Sequence, residues 1–180
     1  MTNPRRRGLL IVYTGTGKGK TTAALGTAFR ALGYGWKVCM VQFIKGTWKY
    51  GEMKSIAAYG EQFELHPLGV GFYKILDDDQ PEEVHREAAA KAVDLVIEKL
   101  ESAEYDLVIA DELSVAYDIE LIDDTAIHRI LEARPTHIHL IVTGRGAPEF
   151  LIEAADMVTE MREIKHPYQQ GIKAQPGIDY

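Results

Sequence analysis

The sequence predicts an α/β domain in which a mostly parallel sheet carries helices on both faces. Three observations point there. Short runs of apolar or β-branched residues recur at 9–13, 37–44, 63–66, 107–110, 138–142 and 157–162. Helical patterns fill the gaps between them, which is the order that right-handed crossovers between parallel strands require. The first run ends in a glycine-rich turn that leads directly into a helical pattern.

That turn reads Thr14-Gly15-Thr16-Gly17-Lys18-Gly19-Lys20-Thr21-Thr22. Strand, glycine loop, Gly-Lys-Thr and helix is the arrangement of a triphosphate-binding P-loop, because backbone N–H groups can wrap phosphate oxygens only where no side chain intervenes. Gly15, Thr16, Gly17, Lys18, Gly19, Lys20, Thr21 and Thr22 are therefore the candidate phosphate-binding residues. Lys20 would neutralise phosphate charge, Thr21 would offer its hydroxyl to a magnesium ion, and the helix over 22–32 would point its positive end at the same anion. The strict pattern has glycine where Thr14 stands, so the loop is an atypical one.

The longest helical pattern spans 81–102, with Val84, Ala88, Ala92, Val96 and Leu100 four residues apart, Pro81 suited to the first turn and Asp77, Asp78 and Asp79 before it. Another covers 124–133 and stops before Arg134-Pro135, and a third starts at Pro148. No repeat, low-complexity tract or linker interrupts the series, so 1–180 is expected to be one domain, with an arm at 1–7 and a tail or lid at 163–180.

Leu107-Val108-Ile109-Ala110-Asp111-Glu112 supplies the second chemical landmark. Four apolar residues ending in two acids resemble a Walker B strand, whose carboxylates emerge at the carboxyl edge of the sheet, where open α/β sheets bind ligands. Asp111 or Glu112 would hold a metal, directly or through water; in a hydrolase Glu112 would instead activate water. Thr143-Gly144-Arg145-Gly146 follows another strand, and Arg145 could meet phosphate oxygens with its fork of donors.

Composition narrows the class of partner. The 180 residues carry a net charge of -7 and 46% hydrophobic residues, an ordinary globular balance that disfavours a broad nucleic-acid-binding face. The basic run Arg5-Arg6-Arg7 reads as a solvated arm, and the lone Cys39, set among apolar residues, as a small buried hydrophobe. No window approaches a membrane span or a signal sequence, which makes a soluble, cytoplasmic protein the expectation.

Taken together with Val41-Gln42-Phe43-Ile44-Lys45-Gly46-Thr47-Trp48, Gly51-Glu52, Ala116-Tyr117-Asp118, Lys165-His166, Gly171-Ile172-Lys173-Ala174-Gln175 and Gly177-Ile178-Asp179-Tyr180, these landmarks resemble the P-loop type of ATP:corrinoid adenosyltransferase over nearly the whole chain. The resemblance implies a three-layer, RecA-like fold. It further implies transfer of the 5′-deoxyadenosyl group of ATP to the Co(I) centre of a reduced corrinoid, with triphosphate released, in adenosylcobalamin biosynthesis or salvage. Members bind ATP in reversed sense along the loop. Lys20 and Glu112 become the catalytic pair, with Mg²⁺ or Mn²⁺ on Thr21, Glu112 and Asp111. The nucleophile belongs to the corrinoid, so no serine, cysteine or histidine nucleophile is needed.

The same resemblance places corrinoid-facing aromatics in the loop 68–74, here Phe72 and Tyr73, while Lys74 stands where a tryptophan is often found. Trp48 is a further candidate for ligand contact. A reduced flavoprotein as electron donor and a homodimer are also implied. Among the histidines, His137 and His139 alternate on one strand without a third ligand near in sequence, and His166 would order the tail. Two rival readings are a P-loop ATPase that couples hydrolysis to movement and a nucleotide-binding corrinoid carrier without chemistry.

Overall fold

A computed structural model describes residues 7–46, 50–71 and 80–179. Six strands form one sheet: β1 (Leu10–Thr14), β2 (Val38–Gln42), β3 (Phe63–Pro67), β4 (Leu107–Asp111), β5 (His139–Thr143) and β6 (Met157–Glu160). Their order is β3-β2-β4-β5-β1-β6, and all five pairings are parallel. Each of the six strand-like runs in the sequence overlaps one of these strands, four of which extend one residue beyond the run.

Successive side chains of a strand point to opposite faces, and the chain exploits this to build two cores. Leu10 and Val12, Cys39 and Val41, Val108 and Ala110, and Leu140 and Val142 pack on one face against Ala92, Val96, Ile127 and Leu151. These come from α3 (Glu82–Glu101), α5 (Asp124–Ala133) and α6 (Glu149–Ala154). Ile11, Met40, Leu107, Ile109 and Ile141 pack on the other, against Ala24, Ala28 and Ile56 of α1 (Lys20–Leu32) and α2 (Gly51–Ala57). The layers are therefore three. Cover on both sides explains why the four central strands, β2, β4, β5 and β1, read as near-continuous apolar runs.

The helix limits have local causes. Pro81 directly precedes α3, whose Glu82 and Glu83 favour the positive end of the helix dipole. Ala88, Ala92, Val96 and Leu100 are buried as the four-residue spacing requires, but Val84 at the start of the stripe is exposed. The Asp123 carboxylate accepts the N–H of Ala126 and caps α5, and Arg134 leaves the helical region ahead of Pro135. Two short helices, α2 and α4 (Leu113–Asp118), have no counterpart among the expected patterns, because seven and six residues are too few to display a period.

Arg7, expected in a solvated arm, is ion-paired with Asp156, whose other carboxylate oxygen accepts the N–H of Leu10 at 2.9 Å. The aspartate just before β6 thus fastens that edge strand to β1. Residues 1–6 of the arm, Asp77, Asp78 and Asp79 lie outside the described residues.

Candidate active site

Three neighbouring strands, β1, β5 and β4, deliver the phosphate loop, Thr143 and the acid pair to one edge of the sheet. The phosphate loop turns sharply at Gly15, whose φ is +96° and where a Cβ would stand 2.5 Å from the carbonyl oxygen of Met161; no other residue fits both demands. A Cβ at Gly17 would stand 2.9 Å from the same oxygen, and the Gly17 N–H donates to Met161 O at 2.7 Å, so this amide is committed to the chain leaving β6 rather than to an anion. The Lys20 ammonium donates to the carbonyls of Gly15 at 2.8 Å and Gly17 at 2.7 Å, and burial, then the Arg145 charge, lower its pKa. Lys18 is ion-paired with Asp179 of the tail. Thr16 and Thr22 are exposed beside the loop.

Asp111 is fully buried and is the hub of the site. Its Oδ1 accepts from the Thr21 hydroxyl at 2.8 Å and from the Thr143 hydroxyl at 2.7 Å, and its Oδ2 accepts from the Gln42 amide at 3.2 Å. Three donors on one carboxylate fix its position. The Thr143 oxygen in turn accepts the N–H of Glu112 at 2.9 Å, so a single hydroxyl positions both acids.

Glu112 adopts φ 61°, a left-handed conformation costly for a residue with a Cβ and typical of functional sites. Its Oε2 is buried with no partner among the described residues, as is Oε1 of Gln42. Burial first, then the negative Asp111, push the Glu112 carboxyl up to about 7, against the pull of Lys45, Lys20 and Arg145. An unpartnered carboxylate oxygen beside a saturated one, with the Thr21 hydroxyl adjoining, is a donor set that suits a hard divalent cation.

The expected phosphate-binding residues, Asp111 and Glu112 are thus brought together. Arg145 is exposed on the loop after β5, close enough to shift the pKa of Lys20 and of Glu112. Trp48, Phe72, Tyr73 and Lys74 lie outside the described residues. Gln42, Lys45 and Glu52 join the site without having been singled out; their signal was their place in the 41–52 stretch that carried the resemblance. His139 accepts the Leu9 N–H and stacks on Trp36, and His166 accepts the Tyr168 N–H to start a 3₁₀ turn in the tail, so both do structural work. Cys39, Glu64 and His66 bring potential ligand atoms within 4.8 Å of one another, but the Lys99 ammonium lies 3.2 Å from Glu64 and burial pushes the Cys39 thiol up to about 12. A cation is already built into that cluster.

Comparison with known proteins agrees with this geometry. Residues 6–180 match the family model described as ATP:corrinoid adenosyltransferase BtuR/CobO/CobP. The corrinoid adenosyltransferase of Escherichia coli K12 is 42% identical over 174 residues, covering 97% of this chain and 86% of that one. Corrinoid adenosyltransferase CobA of Salmonella typhimurium is 42% identical over 178 residues with the same coverage. Among solved structures, the RadB recombinase aligns with a TM-score of 0.56 at 19% identity, covering 90% of this chain and 78% of its own. The flagellar accessory protein FlaH from Methanocaldococcus jannaschii gives 0.54 at 16%, covering 86% and 71%. At such identity these two speak for the P-loop fold alone. Among the described residues no helix is long and apolar enough to cross a membrane.

Proposed function

The chain belongs to the ATP:corrinoid adenosyltransferase family and adenosylates corrinoids in cobalamin biosynthesis, and on that premise we propose how its residues divide the work. Lys20 and the amides of the phosphate loop bind the triphosphate of ATP. Thr21 and Glu112 hold a divalent cation, Mg²⁺ or Mn²⁺, which would neutralise triphosphate charge when bound. Asp111 serves as the fixed anchor of Thr21 and Thr143 rather than as a direct metal ligand, because its oxygens are already occupied by donors.

The reaction itself asks little more of the protein. The Co(I) electron pair forms the bond to C5′ of the ribose, the C5′–oxygen bond breaks, and its electrons remain on the departing triphosphate. No proton has to move, so the protein's task is to hold C5′ in line with the incoming cobalt and to stabilise anionic charge on the leaving group. The observation that carries this reading is the pairing of the buried Glu112 Oε2, unpartnered among the described residues, with the triply hydrogen-bonded Asp111 beside the P-loop threonine.

The reading extends to a cytoplasmic homodimer of single-domain subunits that receives its electron from a reduced flavoprotein, and to Trp48, Phe72 and Tyr73 as corrinoid contacts; family membership is what supports those parts. Anaerobic incubation with ATP, Mg²⁺ and chemically reduced cob(I)alamin tests the whole. Stoichiometric triphosphate and a light-sensitive cobalt–carbon product are expected, both lost in Lys20→Ala and in Glu112→Gln. Orthophosphate released without corrinoid would instead identify a hydrolase.

A further inference from the structure

Lys45, three residues beyond the end of β2, has no part in the division of work above, yet its ammonium lies among the acids of the site. Its Nζ is 2.9 Å from Glu52 Oε1, 4.0 Å from Asp111 Oδ2 and 4.9 Å from the centre of the Tyr50 ring. Burial works against its charge, but Asp111, Glu52 and Glu112 outweigh burial and raise its pKa. The side chain is only 15% exposed.

An ammonium carries three donors, and among the described residues that of Lys45 makes one hydrogen bond, to Glu52. Asp111 is too distant for a second. Leaving buried donors unmatched is costly, so the remaining N–H groups of a mostly buried lysine ask for an acceptor. They border a cleft of about 650 Å³ that Lys45 and Glu52 share with Thr21 and Thr22 at the start of α1. The Lys20 ammonium, in contrast, sits on the loop carbonyls of Gly15 and Gly17.

We propose that Lys45 is a further catalytic residue of the adenosyl transfer, binding triphosphate oxygens from the cleft it shares with Thr21 and Thr22 and stabilising the charge the leaving group keeps as the C5′–oxygen bond breaks. Lys45 stays protonated throughout, and Glu52 is the acceptor that holds it in reach. The inference rests on the reading in which triphosphate occupies the phosphate loop.

Binding of inorganic tripolyphosphate with Mg²⁺, measured by calorimetry, separates the two. If the wild-type protein fails to bind it, the phosphate-loop reading falls and this inference with it. Given wild-type binding, Lys45→Met should weaken it about tenfold, the worth of one charge-assisted hydrogen bond, and lower kcat with cob(I)alamin. Lys45→Arg should remain within about threefold, because the charge is kept. Glu52→Gln should bind as tightly as wild type or tighter, because the amide oxygen still accepts from Lys45 while a negative charge near the triphosphate is removed. Binding by Lys45→Met within about twofold of wild type would overturn the proposal, that being too small for a lost ionic contact. So would a loss in Glu52→Gln equal to that in Lys45→Met, which would make the pair a structural clasp. Should Lys45→Met not fold, as thermal melting would reveal, Lys45→Gln takes its place under the same criteria: about a tenfold loss upholds the proposal and binding within about twofold overturns it.

Discussion

The hydroxyl of Thr21 donates to Oδ1 of Asp111 across 2.8 Å, joining the first turn of α1 to the end of β4 over 90 residues of chain. Thr143 donates to the same oxygen at 2.7 Å. Two hydroxyls converging on one carboxylate oxygen make the seat of the phosphate loop a single hydrogen-bonded unit, and the predictions begin there.

Replacing Thr143 by Val removes the donor to Asp111 and the acceptor of the Glu112 N–H while keeping the shape of the side chain. A buried N–H and a buried carboxylate each lose a partner, so the variant should be destabilised by about 2–4 kcal/mol. It should also need more Mg²⁺ to reach half-maximal ATP binding. Denaturant melts and a metal titration at fixed ATP check both; unchanged metal dependence would mean that Glu112 is held by something else.

Two glycine-to-alanine changes should move stability in opposite directions. Gly26 lies in the interior of α1, and a methyl group added there would meet nothing within 4 Å, so Gly26→Ala should stabilise by about 0.5–1 kcal/mol. Gly144 has φ +142° and a Cβ there would come within 2.7 Å of the Val115 backbone nitrogen. Gly144→Ala should cost about 1–3 kcal/mol or more and displace α4, readable as a lower melting temperature.

Glu64 gives a pH signature outside the catalytic edge. A hydrogen bond from Tyr105 first, then His66 and Lys99, overcome burial and lower its carboxyl to about 2 from the usual 4.5. A depressed carboxylate contributes stability that is complete above its unfolded pKa and is lost as pH falls through the folded one. Melting temperatures should therefore drop between pH 4.5 and 2 through this group. Glu64→Gln should flatten that part of the profile, and a profile identical to wild type would refute the assignment.

Much of this was legible because it is written in local pattern. The four central strands, β2, β4, β5 and β1, were visible as apolar runs because both faces of the sheet are covered there, whereas the edge strands β3 and β6 showed only as short stretches with apolar and β-branched residues among polar ones. The phosphate loop and the acid pair were legible for the same reason, each sitting directly behind such a run. What stayed hidden depends on distant approach. Nothing near Gln42 or Lys45 in the sequence announces that β2 lies beside β4 and so brings them to Asp111. Thr143 stood in a recognised turn, but its two-way hydrogen bonding exists only once β5 lies between the partners it joins. Helix α4 is six residues long and pivots on a left-handed Glu112, a conformation no propensity foretells.

The strand order carries one more consequence. Because β5 lies between β1 and β4, the two strands that carry the phosphate loop and the acid pair are two strand spacings apart, about 10 Å. The sheet acts as a ruler whose divisions are backbone hydrogen bonds, and no single side-chain substitution can change its length. Altering the chemistry at this edge is then a matter of swapping what the loops display across a fixed gauge. RadB and FlaH keep the fold at 19% and 16% identity, as a frame of set width would allow.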